Sequence, residues 1–407
     1  MAATMKPLIS ALIGCFVVVL VAGHLIAGGQ AAAQTDPAPT VDPRPTLPPT
    51  WTPTPTRLPT DTPRPIPTRE PTIMPTLTAT PYPTPNPPPR AARLNGMRLV
   101  WQEYNGCAPA ALTMMLYYHG WSGTRDQVAR GLKPGEGDVS VRSIEMVAYV
   151  ESQGLRAVVR TGGTLDILRR LVVAGFPVLV ENAYNPGGSD WMGHNRVVMG
   201  YNDDEGQVYT FDSVLGSGPS GIGRPIPYLE FDAQWRPFNR TYMVLYPPEA
   251  EPRVQAVLGP QWNATYNAEW TLEQAQREIA QDSGNAFALF NLGSALLTLG
   301  HPGDAVLAFE RALDIGLPWR FLWYQFGPFE AYLQVGRYRD VIALGERVLD
   351  TTQNVEEVYY YMGLAYAALG DVTQAAAHFQ RALARNAQFT EAELALSRLG
   401  GDTAAGR

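Results

Sequence analysis

The spacing of apolar residues between positions 92 and 248 predicts a mixture of helices and strands. Apolar residues that recur at helical spacing predict helices, and short segments rich in β-branched and aromatic residues predict strands. The predicted helices span residues 107–118, 140–152 and 164–174, and the predicted strands span residues 155–160, 178–181, 196–201, 207–211 and 241–246. Because the helices come first and an antiparallel β part follows, the pattern favours an α+β domain over residues 92–248.

After residue 285 the pattern is helical and repeats itself. Five positions recur with identical offsets 70 residues later: Gly293, Gly300, Ala305, Phe309 and Ala312 return as Gly363, Gly370, Ala375, Phe379 and Ala382. This offset is about twice the 34-residue period of tetratricopeptide repeats. Residues 265–400 resemble an array of about three such repeats, with a degenerate middle copy near residues 321–348. A further helix over residues 270–281, with Thr271 and Gln274 as a capping box, is expected to cover the first repeat.

Tetratricopeptide arrays commonly bind peptides or proteins, so the resemblance implies a protein partner for these repeats. A small helical cap without a ligand is the alternative. We expect a linker over residues 249–264 before the array and a short tail over residues 401–407 after it. The chain therefore has an α+β domain followed by an all-α domain.

The N-terminal segment 1–34 predicts a signal peptide or a membrane anchor. Residues 7–29 carry no formal charge and are mostly apolar, and about 20 such residues suffice to span a bilayer. Ala31 and Ala33 form an A-x-A motif typical of signal-peptidase cleavage, so both fates stay open. Lipidation of Cys15 is a third possibility, disfavoured because the apolar run continues after it. In each case the later domains are expected outside the cytoplasm.

Residues 35–91 predict an extended, disordered stalk. Of the 36 prolines in the chain, 20 lie between residues 35 and 89, together with 15 threonines. Such a composition forms no packed core and favours polyproline II. A stalk that holds the domains away from the membrane is the preferred interpretation, and disordered filler is the alternative.

Charge and cysteine content exclude several classes of protein. The net charge is −7 and no strongly basic face is present, which argues against a nucleic-acid partner. Two cysteines are too few for a disulfide scaffold. One cysteine and one usable histidine cannot form a zinc site without carboxylate help, so neither a metal nor a cofactor is predicted.

Cys107 is the candidate nucleophile. It follows Asn105 and Gly106 at the start of a predicted helix, where free N–H groups and the helix dipole stabilise a thiolate. A buried structural thiol is the alternative. A nucleophilic thiol needs a base, and the chain has five histidines. His24 lies in the apolar N-terminal segment, two lie in the repeats (His301 and His378), and His119 lies on the same helix as Cys107 about 18 Å away. Elimination therefore leaves His194.

Asp212 is the candidate that orients His194. If Tyr201 pairs with Gln207 in the predicted hairpin, Asp212 is a same-face diagonal neighbour of His194. A two-residue shift would place them directly opposite each other, whereas a one-residue slip would separate their faces. Asn195 points to the other face. Gln102, close to the nucleophile, is a candidate for the oxyanion hole, and a surface glutamine is its alternative.

Three segments resemble the papain-like, bacteriocin-processing cysteine peptidases of peptidase family C thirty-nine, in its standalone "-like" branch. They are QEYNGCAPAALTMMLYYHG (residues 102–120), the histidine strand from Trp191 to Asp203, and VYTFD (residues 208–212). The resemblance covers about 150 residues in the right order. It implies Cys107 as nucleophile, His194 as base, Asp212 as orienting residue and Gln102 in the oxyanion hole.

Two substitutions and one missing motif depart from this family. Ala108 stands where the family has glycine after the cysteine, and Ser213 stands where many members have proline. No phosphate-binding loop is present, so the peptidase arm of an ATP-driven exporter is excluded and its leader-peptide substrate is not carried over.

The sequence predicts an extracytoplasmic cysteine hydrolase, specifically a peptidase, with a repeat module that binds peptides or proteins. The alternative is a catalytically silent, peptidase-like binding protein. Acyl transfer to an amine uses the same thiol chemistry and stays open. Membrane association through residues 7–29 is expected if that segment is not cleaved.

Overall fold

The computed structural model describes residues 87–133, 135, 138–185 and 190–405, with backbone alone for 401–405. The predicted signal or anchor segment, residues 35–86 of the predicted stalk and the last two residues of the predicted tail lie outside these ranges. Among the helices in these ranges, none is both long and apolar enough to cross a membrane.

The first part of the described chain combines helices with one antiparallel sheet. The helices are α1 (Cys107–Tyr118), α2 (Arg125–Leu132), α3 (Ser143–Ser152), α4 (Leu165–Val173), α5 (Tyr228–Trp235) and α6 (Glu251–Leu258). The strands are β1 (Ala91–Arg93), β2 (Arg156–Arg160), β3 (Val178–Tyr184), β4 (Met192–Asn202), β5 (Gln207–Asp212), β6 (Arg224–Pro227) and β7 (Tyr242–Tyr246). The predicted α+β class is confirmed.

The sheet places two long strands at its centre. Its strand order is β2-β7-β3-β4-β5-β6, and β1 pairs with the far end of β4. Strands β3 and β4 are buried along most of their length, so both of their faces are covered. Helix α1 is also buried, from Ala108 to Leu116, and packs against β3 and β4. This packing brings the start of α1 to the strand that carries His194.

The predicted elements differ from the observed ones mainly at their ends. Helix α1 has the predicted bounds, and Thr164 caps α4 by accepting a hydrogen bond from Ile167 N–H at 3.2 Å. Helix α3 begins three residues later than predicted, because Glu145 closes a capping box with the backbone of Arg142. Helix α2 was not predicted, although Thr124 and Gln127 form a capping box in front of it.

The segment predicted as a linker, residues 249–264, forms helix α6 and flanking turns. Val254 and Leu258 on α6 are buried in the same core as the sheet. The segment therefore extends the α+β domain.

The second part of the chain consists of paired helices. They are α7 (Ala264–Gln281), α8 (Ala286–Thr298), α9 (Pro302–Ile315), α10 (Gly327–Gln334), α11 (Tyr338–Leu349), α12 (Glu356–Ala368), α13 (Val372–Arg385) and α14 (Thr390–Ala405). Three antiparallel pairs, α8–α9, α10–α11 and α12–α13, form the predicted array, which is confirmed. Gly300 and Gly370 end equivalent turns with φ of 80° and 83°.

Helix α7 corrects the predicted capping box. It begins at Ala264 with Asn263 as its cap, so Thr271 lies inside the helix. The Thr271 hydroxyl donates to the carbonyl of Asn267 at 2.7 Å and lies 3.0 Å from the hydroxyl of Thr161, and Gln274 donates to the carbonyl of Gly162. Thr271 and Gln274 therefore join α7 to the α+β domain rather than starting a helix.

The middle repeat departs most from the shared pattern. Its first helix, α10, has only 8 residues, and a separate 3₁₀ turn at Phe321–Trp323 precedes it. Phe321 is fully buried in the core of the array. The sequence degeneracy of this copy therefore corresponds to a real change in backbone structure.

Gly363→Ala is expected to destabilise the array. A Cβ at this position would lie 2.6 Å from the ring of Phe379, and overpacking of this kind lowers the free energy of unfolding by about 1–3 kcal/mol. Thermal unfolding measures the effect. The matched control is Gly303→Ala on α9, where a Cβ meets no atom within 4 Å and alanine favours the helix. Equal unfolding temperatures for the two variants would contradict this packing argument.

Candidate active site

A tight turn positions Cys107 as the first residue of α1. Asn105 has a φ of 51°, in the left-handed region, and Lys133 Nζ donates to its carbonyl at 2.8 Å. Gly106 approaches the Glu103 carbonyl so closely that a Cβ would lie 3.0 Å from that oxygen. The first N–H groups of a helix have no partner within it. The half-buried Cys107 thiol therefore lies at an electropositive helix end.

His194 on β4 connects Cys107 to Asp212. Its Nε2 lies 3.1 Å from Asp212 Oδ1, which leaves Nδ1 for the hydrogen bond with the Cys107 thiol. The imidazole ring also stacks on Tyr184, with ring centroids 4.6 Å apart. The structure thus brings three of the four predicted site residues into one connected chain.

A β-bulge sets the register that brings His194 to Asp212. At the turn, Asn202 pairs with Gln207, one residue away from the predicted pairing of Tyr201 with Gln207. The register shifts between Val198 and Gly200, so Arg196 pairs with Asp212 further along. Asp212 is then the diagonal neighbour of His194, as predicted. Without the bulge the one-residue difference would place the two side chains on opposite faces.

Asp212 is fully buried and held by four donors, of which His194 is one. Arg196 Nε donates to Oδ2 at 2.6 Å, while the N–H groups of Val214 and Leu215 donate to Oδ1 at 2.8 and 2.9 Å. Burial alone would raise the pKa of Asp212. The hydrogen bond and charge of His194, with Arg196 and the Leu215 N–H, hold that pKa well below its usual range. Asp212 therefore stays ionised and can orient His194.

The pKa values of Cys107 and His194 favour an ion pair. Burial raises the pKa of Cys107, but the hydrogen bond and charge of His194, followed by Asn195 and Lys133, lower it to about 7. Burial lowers the pKa of His194, but Asp212 and Cys107 raise it to about 9. Between these values the thiol is ionised while the imidazole keeps its proton, which is the reactive form of a cysteine nucleophile.

Gln102 is held at the cleft that Cys107 also lines by hydrogen bonds with Ser213. Its backbone N–H donates to the Ser213 carbonyl at 3.1 Å, and the Ser213 hydroxyl donates to Gln102 Oε1 at 2.8 Å. This leaves the side-chain NH₂ group as a donor toward the cleft that Gln102 lines together with Cys107. Ser213, noted in the sequence only as a departure from the family pattern, positions Gln102.

Parts of the chain match known protein families. Residues 93–243 match the Peptidase_C39 like family. Residues 288–315 and 356–389 each match a Tetratricopeptide repeat family. The chain carries a C39-like domain followed by tetratricopeptide repeats. These two repeat matches are the first and last copies, and neither includes the degenerate middle one.

Three solved structures resemble parts of the chain. A double glycine motif protease from an AMS/PCAT transporter, in complex with the leader peptide, is 20% identical over 38% of this chain and 94% of its own, with a TM-score of 0.29. MamA from Desulfovibrio magneticus RS-1 is 18% identical over 34% and 76%, with a TM-score of 0.31. TTC0263, a thermophilic TPR protein in Thermus thermophilus, is 14% identical over 37% and 92%, with a TM-score of 0.28. No curated protein matches the chain.

The cleft of the C39-like domain is completed by the repeats. The cleft is a cavity of ≈ 500 Å³ that Gln102, Cys107 and His194 line on one side. Its other wall comes from the repeat module, with Arg320, Trp323, Tyr324, Thr352 and Asn354. The first three belong to or adjoin the turn before α10, and the last two follow α11. The irregular middle copy is therefore the part of the array that meets the cleft.

Aromatic side chains join the two modules next to His194. The Trp191 ring lies between Phe238 of the C39-like domain and Phe321 of the repeats, with ring centroids 5.7 and 5.6 Å away. A Cβ on Gly193 would lie 3.2 Å from the Tyr324 ring. Glycine at this position lets the repeat module approach the strand that carries His194.

Several residues of the site were not predicted from sequence. Asn195 lies on the opposite face of β4 from Asp212, as expected, yet its Nδ2 approaches Cys107 Sγ at 3.7 Å. Arg196 donates a hydrogen bond to Asp212, and Tyr184 stacks on the ring of His194. Alternation along β4 gives a signal for Arg196, because it shares a face with His194. Sequence gives no signal for Tyr324, which comes from another module.

The rate of Cys107 alkylation by iodoacetamide is expected to follow a pKa near 7. In His194→Ala the hydrogen bond and charge that lower this pKa most are lost, while Asn195 and Lys133 remain and burial still raises it. A return of the pKa to its ordinary value of 9.0 lowers the thiolate fraction at pH 7 roughly 50-fold. Peptide mass spectrometry of the Cys107 peptide separates it from Cys15. His301→Ala, at an exposed position in the repeats, is the control. A half-maximal rate above pH 8.5 in the unaltered chain would contradict the ion pair.

Proposed function

We propose that this protein is a cysteine peptidase that acts outside the cytoplasm, with Cys107, His194, Asp212 and Gln102 as its catalytic set. The observation that carries the proposal is the connected series from Cys107 through His194 to the ionised Asp212. The match to the Peptidase_C39 like family supports the same reaction class.

The proposed reaction proceeds through an acyl-enzyme. The Cys107 thiolate attacks the carbonyl carbon of an amide and forms a C–S bond, which moves an electron pair onto the oxygen. The C–N bond then breaks, and the leaving amine takes the proton of His194. Neutral His194 removes a proton from water as its oxygen attacks the thioester. The C–S bond breaks, the acid leaves, and the ion pair is restored.

Gln102 and the start of α1 are suited to stabilise the developing oxyanion. Gln102 and Cys107 both line the cleft, so the side-chain NH₂ of the first and the backbone N–H of the second are proposed to donate to the oxygen on which charge develops in the transition state. Ser213 holds the Gln102 amide in one orientation before substrate arrives. Preorganised donors of this kind need no rearrangement during the reaction.

The repeats are proposed to hold the substrate. Protein or peptide binding is the usual role of tetratricopeptide arrays, and here the array supplies one wall of the catalytic cleft. A cavity of ≈ 500 Å³ admits a short, extended peptide segment rather than a folded domain. The proposed location outside the cytoplasm is based on the apolar residues 7–29 and the A-x-A motif after them.

Cys107→Ala is expected to abolish turnover of a peptide library while leaving the unfolding temperature close to that of the unaltered chain. Mass spectrometry of the products identifies cleavage, and added amines reveal acyl transfer as new amide products. Cys15→Ser serves as the control and is expected to keep full turnover. Cleavage by Cys107→Ala at the unaltered rate would refute the mechanism. Peptide binding without cleavage by the unaltered chain would favour a silent binding protein.

Gln102→Ala is expected to lower kcat by about 10²–10³, the usual effect of removing one oxyanion donor. Ser213→Ala keeps the amide but frees its orientation, so we expect a smaller loss of about tenfold. Steady-state kinetics on a cleaved library peptide measures both effects. Gln153→Ala, at an exposed position just after α3, is the control. Equal losses in Ser213→Ala and Gln102→Ala would contradict a purely positioning role for Ser213.

A further inference from the structure

A buried group of carboxylates joins the C39-like domain to the repeats, outside the catalytic set. Glu145 lies in the first turn of α3, and Glu356 and Glu357 form the first turn of α12. One oxygen of each lies within 4.8 Å of the others. Glu356 and Glu357 are each only 1% exposed. Three acidic side chains from two modules thus converge in the interior.

Most of the oxygens of Glu356 and Glu357 have no partner. Among the described residues, neither oxygen of Glu357 and only one oxygen of Glu356 accepts a hydrogen bond, the latter from Asn386 Nδ2 at 2.9 Å. Asp138, 2% exposed, likewise has a buried oxygen without a partner in this part of the chain. Buried carboxylate oxygens are almost always bonded, so these oxygens are expected to have a partner other than the described side chains.

The nearby Arg142 does not donate a hydrogen bond to the unpartnered oxygens of Glu356 and Glu357. Its Nη2 bonds Glu145 at 3.0 Å and Glu391 at 3.1 Å, so it is already shared between two carboxylates. Its Nε lies 3.6 Å from Glu357 Oε1, too far for a hydrogen bond, and is itself buried without a partner among the described residues. The N-termini of α3 and α12 offset part of the negative charge. The single guanidinium of Arg142 still faces four carboxylates, those of Glu145, Glu356, Glu357 and Glu391.

We propose that Glu145, Glu356 and Glu357 bind a hard divalent cation, calcium or magnesium, between the C39-like domain and the repeats. All the donors are carboxylate oxygens, which these cations prefer. Nitrogen and sulfur ligands, which zinc and copper favour, are absent from the group. The site uses residues 211 positions apart in the chain, so no local spacing in the sequence indicates it.

The position of this site links it to the catalytic cleft. Val139, Ser140 and Val141, which line the cleft, lie between Asp138 and Arg142. On the repeat side, Thr352 and Asn354 line the cleft just before Glu356. A cation held by α3 and α12 fixes the segments of both modules that form this part of the wall. Cation binding is therefore expected to raise stability and to hold the cleft in one shape.

The test uses the full chain in mild detergent, freed of metal with EDTA and then dialysed. Isothermal titration with CaCl₂, MgCl₂ and ZnCl₂ is expected to show one site for calcium or magnesium, with a Kd between about 10⁻⁵ and 10⁻³ M. At a concentration about 100 times the Kd, the unfolding temperature is expected to rise by roughly 5 °C. The calcium and magnesium titrations distinguish the two ions.

Glu357→Gln and Glu145→Gln are expected to weaken binding at least tenfold. Glu310→Gln is the matched control, because it removes a half-buried carboxylate of the repeats that bonds Arg337 instead. It is expected to leave the Kd unchanged.

Absence of binding by the unaltered chain up to about 10 mM of either ion, tenfold above the weakest class of calcium site, would overturn the proposal whatever the variants do. In that case burial, which raises the pKa of Glu357 well above its ordinary value, would favour a protonated cluster. Equal weakening by Glu310→Gln would also overturn it. Because these readouts are binding and unfolding, they are independent of whether the chain cleaves peptides.

Discussion

The buried carboxylate of Asp212 is the charge on which the rest of the site depends. A carboxylate in the interior is tolerated when its oxygens are bonded and its charge is balanced. Arg196 balances the charge at Oδ2, while two backbone N–H groups and His194 share Oδ1. His194 then keeps its proton despite burial, and its charge favours the Cys107 thiolate. The thiolate of Cys107 on α1 thus depends on a carboxylate at the end of β5, with His194 on β4 between them.

The bulge in β4 and the turn before α1 place Cys107, His194 and Asp212 close enough to interact. The bulge brings His194 and Arg196 to the face of Asp212. The turn at Asn105 and Gly106 places Cys107 at the end of a buried helix, where the thiol meets His194 and Asn195. Both devices are backbone irregularities of one or two residues. A site made of widely separated residues is assembled by small departures from regular structure.

Much of the fold and of the site could be predicted from sequence, for physical reasons that differ between residues. The bounds of α1 follow from an unbroken apolar run ended by Gly120, and the repeat helices follow from small residues at fixed offsets. His194 followed from elimination, because few histidines were available. The pairing at the hairpin turn was wrong by one residue, since a bulge leaves no local sequence signature. The roles of Tyr324 and Ser213 depend on contacts between distant segments, which periodicity does not encode.

The middle repeat has a consequence for the array as a whole. Tetratricopeptide arrays usually gain or lose copies freely, because each copy contacts only its neighbours. Here the turn before α10 packs Phe321 against Trp191 and contributes Tyr324 to the cleft. A helix pair inserted or deleted between this turn and α12 would move Asn354 relative to Tyr324 and open the cleft wall. The contact with the C39-like domain therefore constrains the number of repeats in this chain, unlike in an array whose copies contact only one another.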